Sequence, residues 1–117
     1  MIGMVRGRLS DAASAPARGE RVERLWAGDG VVVEHLLSGR LTGPADYLQD
    51  HDEWVAVLEG SAELEVRDEL LALAAGDWVL LPRGTPHRLV STEPGTRWLA
   101  VHVGRSGPGA TEHGGDA

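Results

Sequence analysis

The sequence predicts an all-β fold, a single small domain in which short antiparallel strands close into a barrel or sandwich. Along most of the chain, short apolar runs are separated by Gly, Asp, Ser and Pro, the residues that form turns between strands. From 62 to 66, apolar and acidic side chains alternate, as on a strand with one buried face. The chain has 117 residues, enough for one domain with a modest core.

The predicted strands follow one another at short intervals. They cover residues 22–26, 31–37, 53–59, 62–67, 70–74, 78–81, 87–91 and 97–103. Gly60 supplies the conformational freedom needed by a hairpin bend between the strands at 53–59 and 62–67. The run Leu-Leu-Ala-Leu-Ala-Ala at 70–75 has helical propensity, but it is too short between turn residues to form a stable helix. The segment Val5 to Leu9 admits one further short strand.

The two ends of the chain differ in composition from this central part. Residues 10–20 mix small residues with Pro and Gly and have no sustained period, so residues 1–19 are expected to form an arm leading into the domain. The domain itself is predicted to cover residues 20–103. Residues 104–117 are rich in Gly and poor in apolar side chains, which predicts a flexible tail containing His113.

Composition excludes several classes of partner and chemistry. The formal net charge is −7, with 18 acidic and 11 basic residues, which argues against binding nucleic acid or an anionic membrane. There is no cysteine, and therefore no disulfide, thiolate metal site or cysteine nucleophile. Neither a secretory signal nor a membrane span is recognisable, so we expect a cytoplasmic protein.

Two segments carry the chemical signal, and a predicted hairpin separates them. The first, from Tyr47 to Gly60, reads Y-L-Q-D-H-D-E-W-V-A-V-L-E-G, and the second, from Gly76 to His87, reads G-D-W-V-L-L-P-R-G-T-P-H. They resemble the two motifs of the cupin family, which read roughly G-x5-H-x-H-x3-E-x6-G and G-x5-P-x-G-x2-H-x3-N. The resemblance extends over roughly residues 20–103. It implies a cupin-type β-barrel, also called a double-stranded β-helix or jelly roll, of the small single-domain bacterial kind.

The resemblance also implies a divalent metal bound inside the barrel by three histidines and one glutamate. Glu53 and His87 stand at two of these four positions, whereas Tyr47 and Gln49 stand where the family has its paired histidines. In the second motif Ser91 replaces the usual asparagine. Imidazole and carboxylate suit iron, manganese, nickel, copper or zinc.

Glu53 and His87 need at least one further donor to hold such a metal, and Gln49, His51 and His102 are the candidates. His51 shares the face of Glu53 if the strand has already begun at that point, and otherwise lies on the entrance loop. His102 shares a predicted strand face with Trp98, and would face the metal if that face were the inner one. Tyr47, His51 or Glu53 would move a proton in a catalysed reaction. For each residue the alternative is an ordinary loop or packing role.

The tryptophans and His35 raise the question of which side chains are packed in the core and which lie on the surface of the barrel. If Glu53 points into the barrel, strict alternation turns Trp54 outward, and an exposed tryptophan on a small barrel suggests a homodimer. Core packing is the alternative for each of the four tryptophans. His35 is expected to be an ordinary solvated or packed histidine.

Two functions from different classes are consistent with these features. The first is a metal-dependent enzyme acting on a small organic molecule, as a dioxygenase, isomerase or decarboxylase. The second is a non-catalytic module that binds or senses a small ligand and has lost its metal. Survival of Glu53 and of the second motif favours the enzyme, and replacement of the paired histidines favours the binding module.

Overall fold

The computed structural model describes residues 3–104 of the chain, and within this range the fold is all-β. A 3-10 turn at Ala12–Ser14 precedes the strands. These are β1 (Glu20–Gly28), β2 (Val31–Ser38), β3 (Ala45–Tyr47), β4 (Asp52–Glu59), β5 (Ser61–Val66), β6 (Glu69–Ala74), β7 (Trp78–Leu81), β8 (His87–Thr92) and β9 (Thr96–Val103). Of the predicted tail only Gly104 belongs to the described range, and His113 lies outside it.

The strands form two antiparallel sheets that face each other. One sheet has the order β1-β2-β9-β4-β7 and the other has the order β3-β8-β5-β6. Strands distant in sequence, such as β2 and β9, lie side by side, which is the arrangement of a jelly roll. The predicted fold class is confirmed. None of the segments within residues 3–104 is a helix of sufficient length and apolarity to cross a bilayer.

Most of the predicted strands occur within one or two residues of their expected bounds. The 70–75 run is a strand, because its residues pair along β5 and gain hydrogen bonds that a short helix could not supply. β3 was not predicted, since it has three residues and follows a turn-rich segment. The strand considered at 5–9 does not form; Met4 and Val5 are exposed and no strand pairs with them. The arm is instead fastened by a bridge between Arg18 and Arg40.

The alternation of side chains along β4 and β9 determines which of them lie between the two sheets. Val55 and Val57 of β4 point between the sheets and are buried together with Trp98 and Ala100 of β9. The same alternation on β5 buries Leu64, so the apolar and acidic positions of the sequence separate onto opposite faces. The inward direction of these strands also sets the orientation of the polar residues at their ends.

The outward positions of β4, β7 and β9 form a largely apolar surface, which we call the outer face. Trp54 points outward, as alternation predicts, and its ring centroid lies 6.1 Å from that of Trp78. Trp78 and Leu80 are 61% and 54% exposed. The surface continues through Ala56, Leu99 and Val101.

Candidate functional site

A cavity of about 220 Å³ lies between the two sheets at one end of the barrel. Six of its lining residues are aliphatic, and Trp98 is the largest apolar side chain. The apolar lining residues are Val22, Leu36, Val55, Leu64, Leu81, Leu89 and Trp98. At about 30 Å³ per molecule, this volume corresponds to about seven waters, so the cavity suits a small ligand.

Glu53 and His87 meet at this cavity, as the sequence analysis expected. Glu53 is the second residue of β4 and His87 the first of β8, and each is 8% exposed. His87 Nε2 lies 3.9 Å from Glu53 Oε1. The His87 Nδ1 lies 3.0 Å from the Thr85 carbonyl oxygen, which can only accept, so Nδ1 donates. In the neutral ring, Nε2 therefore presents its lone pair to the carboxyl group.

The environment of Glu53 favours its neutral form. Burial is the largest cause, and the negative charges of Glu34 and Glu20 add to it. A hydrogen bond donated by the amide of Gln49 opposes them, and together these effects raise the pKa of Glu53 to about 7. The carboxyl group consequently gains or loses a proton near neutral pH.

Gln49 and Tyr47 both line the cavity, at the positions where the family motif has histidines. Gln49 is 8% exposed; its side-chain amide donates to Glu53, and its backbone carbonyl oxygen accepts from the Gly84 N–H at 2.8 Å. Tyr47 stacks on His87 with ring centroids 5.4 Å apart. Burial and the charges of Glu20 and Glu53 raise the pKa of Tyr47, so its hydroxyl stays protonated. Both residues thus offer hydrogen-bond donors to the cavity.

His102 also lines the cavity, whereas His51 is not among the lining residues. His102 Nε2 is 3.0 Å from Glu34 Oε1 and 4.0 Å from Glu53 Oε2. Its other nitrogen, Nδ1, is 2.9 Å from His51 Nε2. His51 precedes β4 and contacts the cavity residue His102. The inner orientation of His102 was one of the two alternatives left open by the sequence.

Glu34 and Glu20 are cavity residues that the sequence analysis did not single out. Both faces of β2 carry apolar side chains, so the pattern did not reveal that the face with Glu34 turns inward. Glu20 lies at the start of β1 and accepts a hydrogen bond from Ser38 at 2.8 Å. His35, on the opposite face of β2, is fully buried and bonded to Glu23, which agrees with a packing role.

These donors do not fit the divalent metal that the sequence resemblance implied. Within residues 3–104, no group of three or more His, Asp or Glu side chains is arranged to hold a metal ion. His87 and His102 approach different oxygens of Glu53, and His102 Nε2 already lies at hydrogen-bond distance from Glu34. A metal requires its donors at about 2.0–2.2 Å from one common point. Instead, Glu34 is bonded to His102 and Glu53 is bonded to Gln49.

Comparison with known proteins agrees with the fold. The sequence profile described as "Cupin domain" matches residues 32–102. No curated protein matches this sequence. Among solved structures, a "putative mannose-6-phosphate isomerase" from Ralstonia eutropha JMP134 has 31% identity and a TM-score of 0.72. The alignment covers 83% of this chain and 98% of that one.

Two more distant structures are similar in fold alone. The polyketide cyclase RemF from Streptomyces resistomycificus has 24% identity and a TM-score of 0.64, over 88% of this chain and 80% of that one. A domain of an XRE family transcriptional regulator from Enterobacter cloacae has 14% identity and a TM-score of 0.63, over 76% of this chain and its own full length. An enzyme and a regulator share this barrel, so the fold by itself does not assign a function.

Proposed function

Because this chain belongs to the cupin family, we propose that its barrel binds a small, largely apolar organic molecule. Glu53, His87 and Gln49 hold the polar end of this ligand. The observation that carries the proposal is a carboxyl group, 8% exposed, facing a cavity that six aliphatic side chains and Trp98 help to line. Burying a carboxyl group is costly, and a ligand that bonds to it would recover part of that cost.

The proposed binding needs no metal. The His87 ring is oriented by the Thr85 carbonyl, and the Gln49 side chain by Glu53, while Gly84 holds the Gln49 backbone, so the protein itself fixes these polar groups. Aliphatic side chains on both sheets then surround the remainder of the ligand. This arrangement corresponds to the binding module among the two functions that the sequence left open.

Proton transfer at Glu53 is a second candidate function, favoured by the pKa of about 7. A group with this pKa is a competent general acid or base at neutral pH. Its carboxylate would take a proton from the ligand, while the Tyr47 hydroxyl donates a hydrogen bond to a ligand oxygen. Isomerisation is the reaction class that fits this pair of groups. The Ralstonia protein carries an isomerase name, but no Lys or Arg lines the present cavity to receive a sugar phosphate.

Binding inside the barrel is tested by blocking the mouth of the cavity. Val22 lines the cavity and is exposed, so we expect Val22→Trp to fill the entrance without overpacking the core. The probes are small amines, alcohols, ketones and carboxylic acids of about six to ten non-hydrogen atoms, chosen to fit the cavity. Ligand-observed NMR should show the best binders of the native protein weakened at least about tenfold in this variant.

Leu25→Trp is the matched control, since Leu25 is exposed on the same strand but does not line the cavity. This variant should retain the affinities of the native protein. Equal binding of the same probes to all three proteins would show that they bind elsewhere and would overturn the proposed site.

Metal content distinguishes this proposal from the metal-dependent enzyme. Untagged protein purified without chelator is expected to contain much less than one equivalent of iron, manganese, nickel, copper or zinc by plasma mass spectrometry, because the donors do not converge. Near-stoichiometric metal that is lost in both His87→Ala and Glu53→Gln would contradict the metal-free proposal and restore the metalloenzyme.

We also propose that two copies of the chain pair through the outer face. Its centre, formed by Trp54, Trp78, Leu80, Leu99 and Val101, carries no charged side chain. A two-fold axis there would set apolar groups against apolar groups without opposing like charges, although each chain has a net charge of −7. A second copy is therefore compatible with this part of the surface.

Sedimentation velocity tests the pairing. Trp78→Lys is expected to shift the native protein from dimer to monomer, because a buried unpaired charge opposes association. Leu48→Lys, at another exposed apolar position, should leave the dimer intact. A native protein that sediments as a monomer at high concentration would refute the pairing.

A further inference from the structure

We propose that the ligand of this cavity is a small organic cation, an alkylammonium group attached to a compact apolar body. This inference deepens the proposed small-molecule binding and rests on it. The cavity would accordingly select amines over alcohols or carboxylic acids of the same shape.

The charges that line the cavity carry the inference. Three carboxyl groups, from Glu20, Glu34 and Glu53, face it, and neither Lys nor Arg occurs among its lining residues. Glu53 is the most deeply buried of the three at 8% exposed. An anionic ligand would meet these carboxyl groups without any permanent cation to balance its charge. The apolar surroundings of the cavity strengthen the repulsion between like charges.

The histidines cannot cancel this negative charge. Only one hydrogen can occupy the 2.9 Å contact between His51 Nε2 and His102 Nδ1, so that pair carries at most one positive charge. His87 can supply a second at its Nε2. A bound ammonium group favours the ionised form of Glu53, and in that state three carboxylates face at most two imidazolium charges. A monocation would complete the balance.

The mutual influence of the acidic groups supports the same conclusion. The charges of Glu34 and Glu20 help to raise the pKa of Glu53, and those of Glu20 and Glu53 help to raise the pKa of Tyr47. Each group therefore experiences a negative potential inside the cavity. A bound cation lowers that potential, whereas a bound anion increases it.

The remaining walls favour an organic cation over a bare ion. Leu36, Val55, Leu64 and Leu89 offer no oxygen or nitrogen to replace the hydration of an inorganic cation. They provide apolar contact for an alkyl group, and Trp98 adds a large apolar surface. The cavity of about 220 Å³ admits a body of roughly the size of a six-membered ring.

A matched series of three probes tests the inference: cyclohexylamine, cyclohexanol and cyclohexanecarboxylate. Isothermal titration of the full chain, near neutral pH and with chelator present, should give a dissociation constant for the amine at least about tenfold lower than for the alcohol. The carboxylate should bind more weakly than the alcohol. Val22→Trp should abolish binding of the amine, which places it in the cavity.

Charge-removing variants connect the preference to named residues. Glu34→Gln and Glu20→Gln should each reduce the ratio between amine and alcohol affinities, because each removes one negative charge from the wall. Glu63→Gln is the control, since Glu63 is exposed on the far side of β5 and bonded to Ser91. It should leave the ratio unchanged.

The outcomes separate this inference from the proposed function. If the alcohol or the carboxylate binds as tightly as the amine and Val22→Trp abolishes both, the cavity binds ligands but the cation inference is wrong. If none of the three probes binds and a divalent metal is taken up stoichiometrically, both proposals are wrong. An unchanged affinity ratio in the Glu34 and Glu20 variants would also overturn the inference.

Discussion

In the metal-free protein, the contribution of Glu53 to the free energy of unfolding is expected to fall by about 3 kcal/mol as the pH rises from 4.5 to about 7. The ordinary pKa of this carboxyl group is 4.5, and burial raises it to about 7 in the folded protein. Between these values the folded state holds a proton that the unfolded state has released. The stabilisation contributed by Glu53 is therefore fully present below the pKa of the unfolded state and decreases as the pH rises through this interval. Above the pKa of the folded state it no longer changes.

Urea unfolding across this pH range, with chelator present, measures the effect. The readout is the difference between the native protein and Glu53→Gln, because other carboxyl groups contribute their own pH dependence. Hydrogen bonds from His35 and Ser10 lower the pKa of Glu23, for example, which gives that group the opposite sign. The glutamine variant stays neutral, so it should gain stability relative to the native protein as the pH rises.

Glu63→Gln supplies the control for this experiment, since Glu63 lies outside the cavity and is exposed. Its stability should follow that of the native protein across the same range. Parallel curves for the native protein and Glu53→Gln would show that Glu53 has an ordinary pKa, and the proton-transfer function would lose its support.

Gly60→Ala is expected to be the most destabilising of the glycine substitutions in the two sequence motifs. Gly60 has a φ of +90°, a conformation that costs a residue with a Cβ about 1 to 3 kcal/mol. In addition, a Cβ at this position would lie 2.5 Å from Thr96 Oγ1 and 2.8 Å from Thr96 Cα. Overpacking of this kind adds about 1 to 3 kcal/mol.

Gly76→Ala separates these two costs. Gly76 has a similar φ of +95°, but a Cβ there would meet nothing within 4 Å. Urea unfolding should therefore show a loss for Gly76→Ala that reflects backbone strain alone, and a larger loss for Gly60→Ala. Equal losses would mean that Thr96 moves aside at negligible cost. A larger loss for Gly60→Ala would mean that Thr96 does not relieve the clash. It would also explain why the hairpin between β4 and β5 carries glycine.

The positions of most strands could be predicted from the sequence because they follow from local patterns. A strand needs only apolar alternation and turn residues nearby, so β4, β5, β7 and β9 were found close to their observed bounds. β3 was missed because three residues are too few to establish a period. The segment at 5–9 has apolar residues but no partner strand, and apolar content alone does not supply backbone hydrogen bonds.

Part of the candidate site could be predicted in the same way. The motif spacing identified Glu53 and His87, and the structure brings their side chains within 3.9 Å. The motif spacing also identified Tyr47 and Gln49 as residues near Glu53 and His87. The sequence could not show whether the donors converge on a metal, because this depends on which nitrogen of each histidine is already bonded to a neighbour.

The sequence by itself determined an all-β chain and the placement of Glu53 and Trp54 on opposite faces of one strand. These are properties of neighbouring residues on one strand, where the period of two leaves no alternative once one face is buried. Only the tertiary structure decided that Glu34, Glu20 and His102 share the cavity with Glu53. Their meeting depends on how the sheet curves and on which strands become neighbours, and both are set by packing between residues far apart in sequence.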